Sequence, residues 1–179
     1  MYTTISKVPF YNRPLTLFAG HCVESYIFPT CAPFQSKDDA FATPPKEQMT
    51  IHDIKHAILR KWKMMVFYIV DLRKKPAHLA SRNGVLSFPL QGGPKAILDP
   101  KAIESICHEI HRRCPTTMIV HCTHGLNRTL LVLAVLFLKE HPEKTVDQAL
   151  VHVKRIRPPG ILRSNVVDSL ITWKQTFLR

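Results

Sequence analysis

The sequence predicts an α/β fold with a central, mostly parallel twisted sheet that is flanked by helices. Apolar, β-branched runs that are typical of strands buried on both faces occur at residues 64–72 and 116–120. They alternate with segments whose apolar residues keep helical spacing, and strands that alternate with helices form parallel sheets. The chain has 179 residues, 45% of them hydrophobic, which is enough material for the core of one domain.

The boundaries of the elements follow from residues that begin and end helices. Asp99 and Pro100 are typical of an N-cap and a first helical position, and Thr145 and Gln148 have the spacing of a capping box. We predict an irregular N-terminal arm or lid with short strands over residues 1–50 and a catalytic core over residues 51–179. Within the core we predict strands at 64–72, 85–90 and 116–120. Helices are predicted at about 51–61 and 99–113, and further helices begin near residues 127, 145 and 164.

The composition favours an anionic partner. The formal net charge is +12, so we expect phosphorylated molecules, nucleic acid or an acidic membrane surface as the partner, and a basic surface kept for solubility is the alternative. Five cysteines with no CxxC pair or zinc-ligand spacing, and no secretory leader pattern, predict the nucleus or cytoplasm rather than secretion. The longest apolar run, residues 130–138, is too short to cross a bilayer and predicts a buried helix. Of the anionic partners, we expect phosphorylated molecules or nucleic acid rather than a membrane.

The stretch VHCTHGLNRT, residues 120–129, has the composition of an anion-binding loop. It follows a buried strand and leads into a helix, so its backbone N–H groups can converge at the positive end of the helix dipole. Gly125 lets the backbone curve around an anion, and the guanidinium of Arg128 can bind two phosphate oxygens. The predicted phosphate-binding residues are Thr123, His124, Gly125, Leu126, Asn127 and Arg128.

Cys122 lies at the base of the same loop. Helix N-termini and neighbouring cations stabilise thiolates, so we expect Cys122 to be a nucleophile that forms a phosphocysteine. Thr129 can donate its hydroxyl to that sulfur, and His121 is expected to support the loop by hydrogen bonds. A buried cysteine at an ordinary strand-to-helix turn is the alternative. We favour the anion-binding loop, because Cys, Gly, Arg and Thr occur together at the spacing that it needs.

HCTHGLNRT resembles the HCxxGxxR(S/T) signature of the cysteine-dependent phosphatases. More narrowly, it resembles the HCTHGxNRT form of metal-independent RNA 5′-triphosphatases, which are the N-terminal domains of metazoan capping enzymes and their stand-alone cellular and baculoviral relatives. YIVDL, GVLSFPLQGG and RIRPPGI resemble further segments of that family, over about residues 64–179. The resemblance implies a protein-tyrosine-phosphatase-like fold of dual-specificity size, no metal or cofactor, an RNA 5′ end as partner, and Asp71 at the position of the family's aspartate. If the protein takes part in capping, we expect a separate guanylyltransferase, or a segment outside this sequence, to add the guanosine.

The choice of substrate depends on a proton donor. Tyrosine and dual-specificity phosphatases supply an aspartic acid from the region of residues 88–94, which holds no carboxylate here. A phenol has a pKa of about 10 and needs a proton to leave, whereas a nucleoside diphosphate end, whose terminal phosphate has a last pKa of about 6, leaves with little help. The sequence therefore favours hydrolysis of an RNA 5′-triphosphate, with or without the diphosphate, over a protein phosphatase. A catalytically weak module that binds 5′-triphosphate RNA is a third alternative. It is motivated by Leu130 where the family has Gly, and by DLRKK where the family has DLTNT.

The remaining candidates each have a structural alternative. Asp71 can position water or assist proton transfer, or it can pair with Arg73 or Arg128, and Asp99 is a helix cap rather than an acid. Arg157 can contact a second phosphate or brace the loop. The run of Arg73, Lys74 and Lys75 can form a cationic rim for RNA, or it can be solvated surface.

Overall fold

A computed structural model describes residues 18–19, 26–31, 51–74, 84–113 and 116–178. Within these ranges five strands form a single sheet and five α-helices surround it. The strands are β1 (Phe18–Ala19), β2 (Tyr26–Cys31), β3 (Tyr68–Asp71), β4 (Val85–Ser87) and β5 (Met118–Cys122). The helices are α1 (Ile51–Trp62), α2 (Pro100–Arg112), α3 (Asn127–Glu140), α4 (Val146–Ile156) and α5 (Ser164–Phe177).

The sheet is mostly parallel, which confirms the predicted fold class. Its order is β1-β2-β5-β3-β4, and only β1 and β2 pair antiparallel. β5 lies at the centre, so that Val120 is opposite Pro29 on one side and Val70 on the other. Because the parallel strands run the same way, Cys31, Asp71 and Cys122 end at one edge of the sheet. That edge is where open α/β sheets bind ligands.

Helices cover both faces of the sheet. On one face, Phe28 and Ile119 form a small buried cluster with Ile54 and Ile58 of α1. The other face belongs to the main core, in which Val120 packs together with residues of α2, α3, α4 and α5. Neighbouring residues of β5 serve opposite clusters, as the alternation of side chains along a strand requires. The run at 130–138 is buried within α3, as predicted, and none of the helices in the described ranges has the length and apolar character needed to cross a membrane.

Two helix starts agree with the residues that predicted them. Asp99 accepts a hydrogen bond from Lys101 N at 3.0 Å, with Pro100 in the first turn of α2. Thr145 and Gln148 form both hydrogen bonds of the capping box at the start of α4. These short-range polar contacts depend only on local spacing, which is why the sequence could predict them.

The strand predicted over 64–72 is shorter than expected. Residues 63–67 are not a strand, Met65 and Phe67 are 66% and 57% exposed, and β3 begins at Tyr68, where its pairing with Met118 begins. The length of β3 is therefore set by its partner, which lies fifty residues further along the chain. In the same way, the strand predicted at 85–90 ends at Ser87, and β5 extends two residues beyond the predicted 120, to Cys122.

One strand of the first fifty residues belongs to the interior of the sheet. β2 lies beside β5, where Phe28 and Ile27 are buried. Short strands were predicted in this region, and Tyr26–Cys31 is one, but its place inside the sheet was not predicted. Position 29 of this strand is a proline, a residue that is disfavoured inside a sheet. Most other residues of the predicted arm lie outside the described ranges.

Candidate active site

Cys122 ends β5 at the base of a four-residue loop, and α3 begins at Asn127. The side chain of Cys122 is buried, with 3% of the residue exposed. Gly125 has a φ of 65°, a left-handed conformation that glycine adopts readily. The N-cap residue of α3, Leu126, makes no side-chain cap hydrogen bond, so the N–H groups of the first helical turn point to the loop without a side-chain acceptor. This is the arrangement that binds an anion at a helix N-terminus.

Arg128 joins this loop to two neighbouring segments. Its Nη1 donates to the carbonyl oxygens of Leu72, just after β3, at 3.0 Å and of Leu90, in the loop after β4, at 2.9 Å. Its Nη2 donates to Thr123 Oγ1 at 3.1 Å. The guanidinium also lies against Gly92, where an added Cβ would be 3.3 Å from the Arg128 Cζ. The predicted phosphate-binding cation is thus held at the rim of the loop.

Asp71 is paired with Arg73, one of the alternatives that the sequence left open. Arg73 Nε lies 2.9 Å and 3.1 Å from the two carboxylate oxygens, Nη2 lies 2.6 Å from Oδ2, and the backbone N of Arg73 donates to Oδ1 at 3.0 Å. Burial raises the pKa of Asp71, but the hydrogen bonds from Arg73 and the nearby His121 outweigh it, and the net pKa is below its ordinary value. The carboxylate is therefore ionised at neutral pH and holds no proton for a leaving group.

His121 is completely buried beside this ion pair. Its Nδ1 lies 3.8 Å from Asp71 Oδ1, and neither ring nitrogen makes a hydrogen bond of standard geometry within the described residues. The ring packs in the core at the end of β5, and its support of the loop stays a prediction. Burial lowers the pKa of His121 to about 4, although Asp71 opposes that shift, so the ring is neutral at pH 7.

Thr129 is placed in the first turn of α3, close in sequence to the loop, and is fully buried. Its Oγ1 has no hydrogen-bond partner among the described residues, so the hydrogen bond predicted between this hydroxyl and the Cys122 sulfur is not formed here. A buried hydroxyl without a partner carries a desolvation penalty, which a ligand or a change at the sulfur can remove. The role of Thr129 in the reaction stays a prediction.

Asn127 ties the loop to a segment that sequence reasoning did not assign to the site. Its Oδ1 accepts hydrogen bonds from Leu162 N at 2.9 Å and from Arg163 N at 3.1 Å. Burial, followed by the charges of Arg163 and Arg128, lowers the pKa of the half-buried His124. Arg163 is thus a cation close to the loop that the prediction missed. The signal was present in the sequence, because Arg163 lies only two residues after the end of the RIRPPGI segment.

The other predicted cations lie in different surroundings. Arg157 is buried, with 3% exposed, and its Nη1 donates to Pro29 O of β2 at 3.4 Å, which is a bracing contact. Arg73 is neutralised by Asp71. Lys74 is exposed after β3, and Lys75 lies outside the described residues. The side chain of Arg128 and the backbone of Arg163 are thus tied to the segment that follows Cys122, whereas Arg73 is paired with Asp71 and Arg157 contacts β2.

The comparisons with known proteins agree on the fold. No family model matches the chain. The fold is that of the dual-specificity phosphatases. The kinase-associated phosphatase, in a structure whose catalytic-site cysteine is replaced by serine, superposes with a TM-score of 0.66 at 13% identity, over 92% of this chain and 97% of that one. Human DUSP28 superposes with a TM-score of 0.60 at 17% identity, over 93% and 97%.

In sequence, the chain is similar to the mRNA-capping enzymes of Mus musculus, with 35% identity over 66 residues, and of Danio rerio, with 33% over 66 residues. The matched segment is 36% of this chain and 11% of each capping enzyme, so the chain matches only about a tenth of the length of these relatives. Together with the fold, this similarity confirms the resemblance to cysteine-dependent phosphatases and, within them, to capping enzymes.

Proposed function

We propose that the protein is a metal-independent polynucleotide 5′-phosphatase, which hydrolyses the terminal phosphoanhydride of an RNA 5′ end through a phosphocysteine. The observation that carries the proposal is the pairing of an anion-binding loop with the lack of a protonated carboxyl group beside it among the described residues. Cys122, the uncapped start of α3 and Arg128 surround one anion position, while residues 88–94 hold no carboxylate and Asp71 is ionised against Arg73. Such a site suits a leaving group that needs no proton.

The reaction takes place in two displacements. The Cys122 thiolate attacks the γ-phosphorus, the bond from phosphorus to the bridging oxygen breaks, and the electron pair leaves with the β-phosphate of the RNA diphosphate. Water then attacks the phosphocysteine, the phosphorus–sulfur bond breaks, and inorganic phosphate and the thiolate are released, with the proton of the water passing to solvent or to the phosphate. The N–H groups at the start of α3 and the Arg128 guanidinium stabilise the charge on the phosphoryl oxygens in both steps.

The hydrogen bonds of Arg128 hold its guanidinium in a position to bind the phosphoryl group. Its Nη2 bonds to Thr123 Oγ1 of the loop, while its Nη1 bonds to two backbone carbonyls. These contacts fix the plane of the guanidinium next to the loop, so that a phosphate gains a donor that is already oriented. Removing such a donor typically slows the chemical step by about 100- to 1,000-fold.

A dual-specificity protein phosphatase is the second candidate, because solved structures that share this fold include human DUSP28. A phosphatase that acts on phosphotyrosine requires a proton donor for the phenolate leaving group. Residues 88–94, in the loop after β4, hold no carboxylate, and this loop contacts Arg128 through the backbone carbonyl of Leu90. The catalytically weak binding module, motivated by the Asp71–Arg73 pair and by Leu130, is the third. These candidates differ in the products that they form.

The test compares phosphate release from RNA with a 5′-triphosphate, diphosphate or monophosphate end and from a phosphotyrosine peptide. We expect release from triphosphate RNA in the presence of EDTA, inhibition by vanadate, and a loss of at least about 1,000-fold in Cys122→Ser. Wild-type rates in Cys122→Ser would refute the proposal. A preference for the peptide would indicate the protein phosphatase, and tight binding of triphosphate RNA without product would indicate the binding module.

A further inference from the structure

A 5′-polyphosphate end presents at least two phosphates, whereas the loop around Cys122 surrounds one. The sequence offered Arg73 and Arg157 as cations for a second phosphate. In the structure the guanidinium of Arg73 forms an ion pair with the Asp71 carboxylate, with three side-chain hydrogen bonds of 2.6–3.1 Å. Arg157 is buried and donates to Pro29 O. A cation for the second phosphate has to be sought elsewhere.

Arg163 is fixed beside the anion loop by its backbone. The Asn127 side chain, in the first turn of α3, accepts hydrogen bonds from Leu162 N at 2.9 Å and Arg163 N at 3.1 Å. Because one amide oxygen holds both N–H groups, the residue that precedes α5 cannot move away from the residue that begins α3 without breaking two hydrogen bonds. The position of Arg163 is thus set by the loop and not by its own side chain.

A second tether joins the same segment to the loop after β4. Asn165 Nδ2 donates to the carbonyl oxygens of Gly93 and Ala96. The neighbouring Gly92 lies against the Arg128 guanidinium, and the Leu90 carbonyl oxygen accepts a hydrogen bond from Arg128 Nη1. The backbone at Arg163 and the guanidinium of Arg128 are therefore held by one connected set of contacts on two sides of the site.

The charge of Arg163 is not balanced within the described residues. Its guanidinium makes no hydrogen bond or ion pair there, in contrast to that of Arg73. The residue is partly exposed. The charge of Arg163 acts on the loop, because it helps to lower the pKa of His124. Burial is the largest cause of that shift, and Arg163 comes next, before Arg128. A partly exposed guanidinium without an acid partner, on a backbone that is fixed beside the loop, favours phosphate oxygens as ligands.

We propose that Arg163 is a specificity-determining residue that binds the second phosphate of a polyphosphate end while the first lies over Cys122. The assignment rests on the proposed function and deepens it. It distinguishes a polyphosphate end from a single phosphate, because only the former reaches both positions. Arg163 is not required for attack on the first phosphate, since the loop and Arg128 surround that position themselves.

The test measures binding and not turnover. In a Cys122→Ser background, calorimetry gives the Kd of inorganic tripolyphosphate and of orthophosphate for the parent, Arg163→Ala and Arg163→Lys. We expect Arg163→Ala to weaken tripolyphosphate binding by about 10- to 100-fold more than orthophosphate binding, the effect of losing charge-assisted hydrogen bonds, and Arg163→Lys to restore part of the difference. Arg155→Ala, which removes the same charge from the exposed face of α4, is the matched control and should leave the ratio unchanged.

An equal change for both anions in Arg163→Ala, or no change, would overturn the assignment. Thermal unfolding checks that the variants are folded, and Arg163→Gln, which keeps the length of the side chain, replaces Arg163→Ala if the latter is not. Hydrolysis of triphosphate RNA by the wild-type protein separates this result from the proposed function. If tripolyphosphate selectivity depends on Arg163 but RNA is not hydrolysed, the subsite stands and the proposed substrate fails.

Discussion

At the scale of single residues, Arg73 decides what Asp71 can do. A carboxylate at the end of a buried strand next to a nucleophile is a natural candidate for proton transfer. Here both of its oxygens are hydrogen-bonded to the guanidinium two residues later, and its pKa is lowered. The DLTNT segment that DLRKK resembles has threonine where this chain has Arg73, so the ion pair with Asp71 depends on a residue that departs from that motif. Asp71 orients Arg73 and the end of β3, which carries the Leu72 carbonyl that holds Arg128.

His121 makes the stability of the protein depend on pH. Its pKa is about 4 in the folded protein, because of burial, and about 6.5 in an unfolded chain. Between these values the unfolded state binds a proton that the folded state does not. The free energy of unfolding therefore falls as the pH is lowered from about 6.5 towards about 4, by up to about 1.4 kcal/mol per pH unit from this one group. Asp71, Arg73 and Arg128 are the charged groups that act on the ring.

Urea unfolding of the wild type and of His121→Asn at several pH values measures this effect. The difference between the two proteins should change with pH only inside that window and should be constant above pH 7. A matched substitution, His56→Asn, removes an exposed histidine of α1 and should leave the pH dependence of the wild type in place. Identical pH profiles for the wild type and His121→Asn would contradict the buried, neutral state of this ring.

At the scale of elements, the loop after β4 has two adjacent glycines, and the first of them, Gly92, contacts Arg128. A Cβ at Gly92 would lie 3.3 Å from the Arg128 Cζ, which is tight enough to displace the guanidinium. At Gly93 nothing lies within 4 Å of an added Cβ, but φ is +126°, a conformation that L residues rarely adopt. The two substitutions to alanine should therefore have opposite consequences.

We expect Gly92→Ala to lower kcat/KM for phosphate release with little change in Tm, because a flexible side-chain end yields easily while its hydrogen bonds to Leu72 and Leu90 are disturbed. Gly93→Ala should cost about 1–3 kcal/mol of stability from backbone strain with a smaller effect on kcat/KM. Kinetics and thermal unfolding of both variants measure this. The proposal for this loop fails if the two variants lose activity and stability in parallel.

The elements also show which parts of the fold the sequence could predict. The starts of α2 and α4 follow from side chains that bond to backbone within three residues, and both were predicted. The anion loop was predicted because its residues are contiguous. Strand lengths were not, since β3 and β5 are limited by pairing between distant segments. Arg163 was missed for the same reason: only the fold brings Leu162 and Arg163 to Asn127, 35 and 36 residues earlier in the chain.

At the scale of the whole molecule, the fold collects the site from four separate segments. Cys122 and Arg128 come from β5 and α3, Leu72 from the end of β3, Leu90 from the loop after β4, and Arg163 from the start of α5. Parallel strands make this possible, because their carboxyl ends meet at one edge. Asn165 hydrogen-bonds the start of α5 to the loop after β4, so a displacement of one of these segments affects the position of the other.

The net charge of +12 predicts that binding of a long RNA strand depends more on salt than binding of a small substrate does. The proposed function implies that an RNA strand meets further cations beyond its 5′ end. Each phosphate neutralised on a single strand contributes about 0.7 to the slope of log affinity against log salt. We therefore expect KM for 5′-triphosphate oligonucleotides to rise with salt, with a slope that steepens as the oligonucleotide lengthens and then levels off where the strand leaves the protein. Steady-state kinetics at several NaCl concentrations measure the slope, and p-nitrophenyl phosphate, which has a single phosphate, is the control. A slope that is the same for every length would show that the protein holds only the phosphorylated end, and that its positive charge does not guide the rest of the strand.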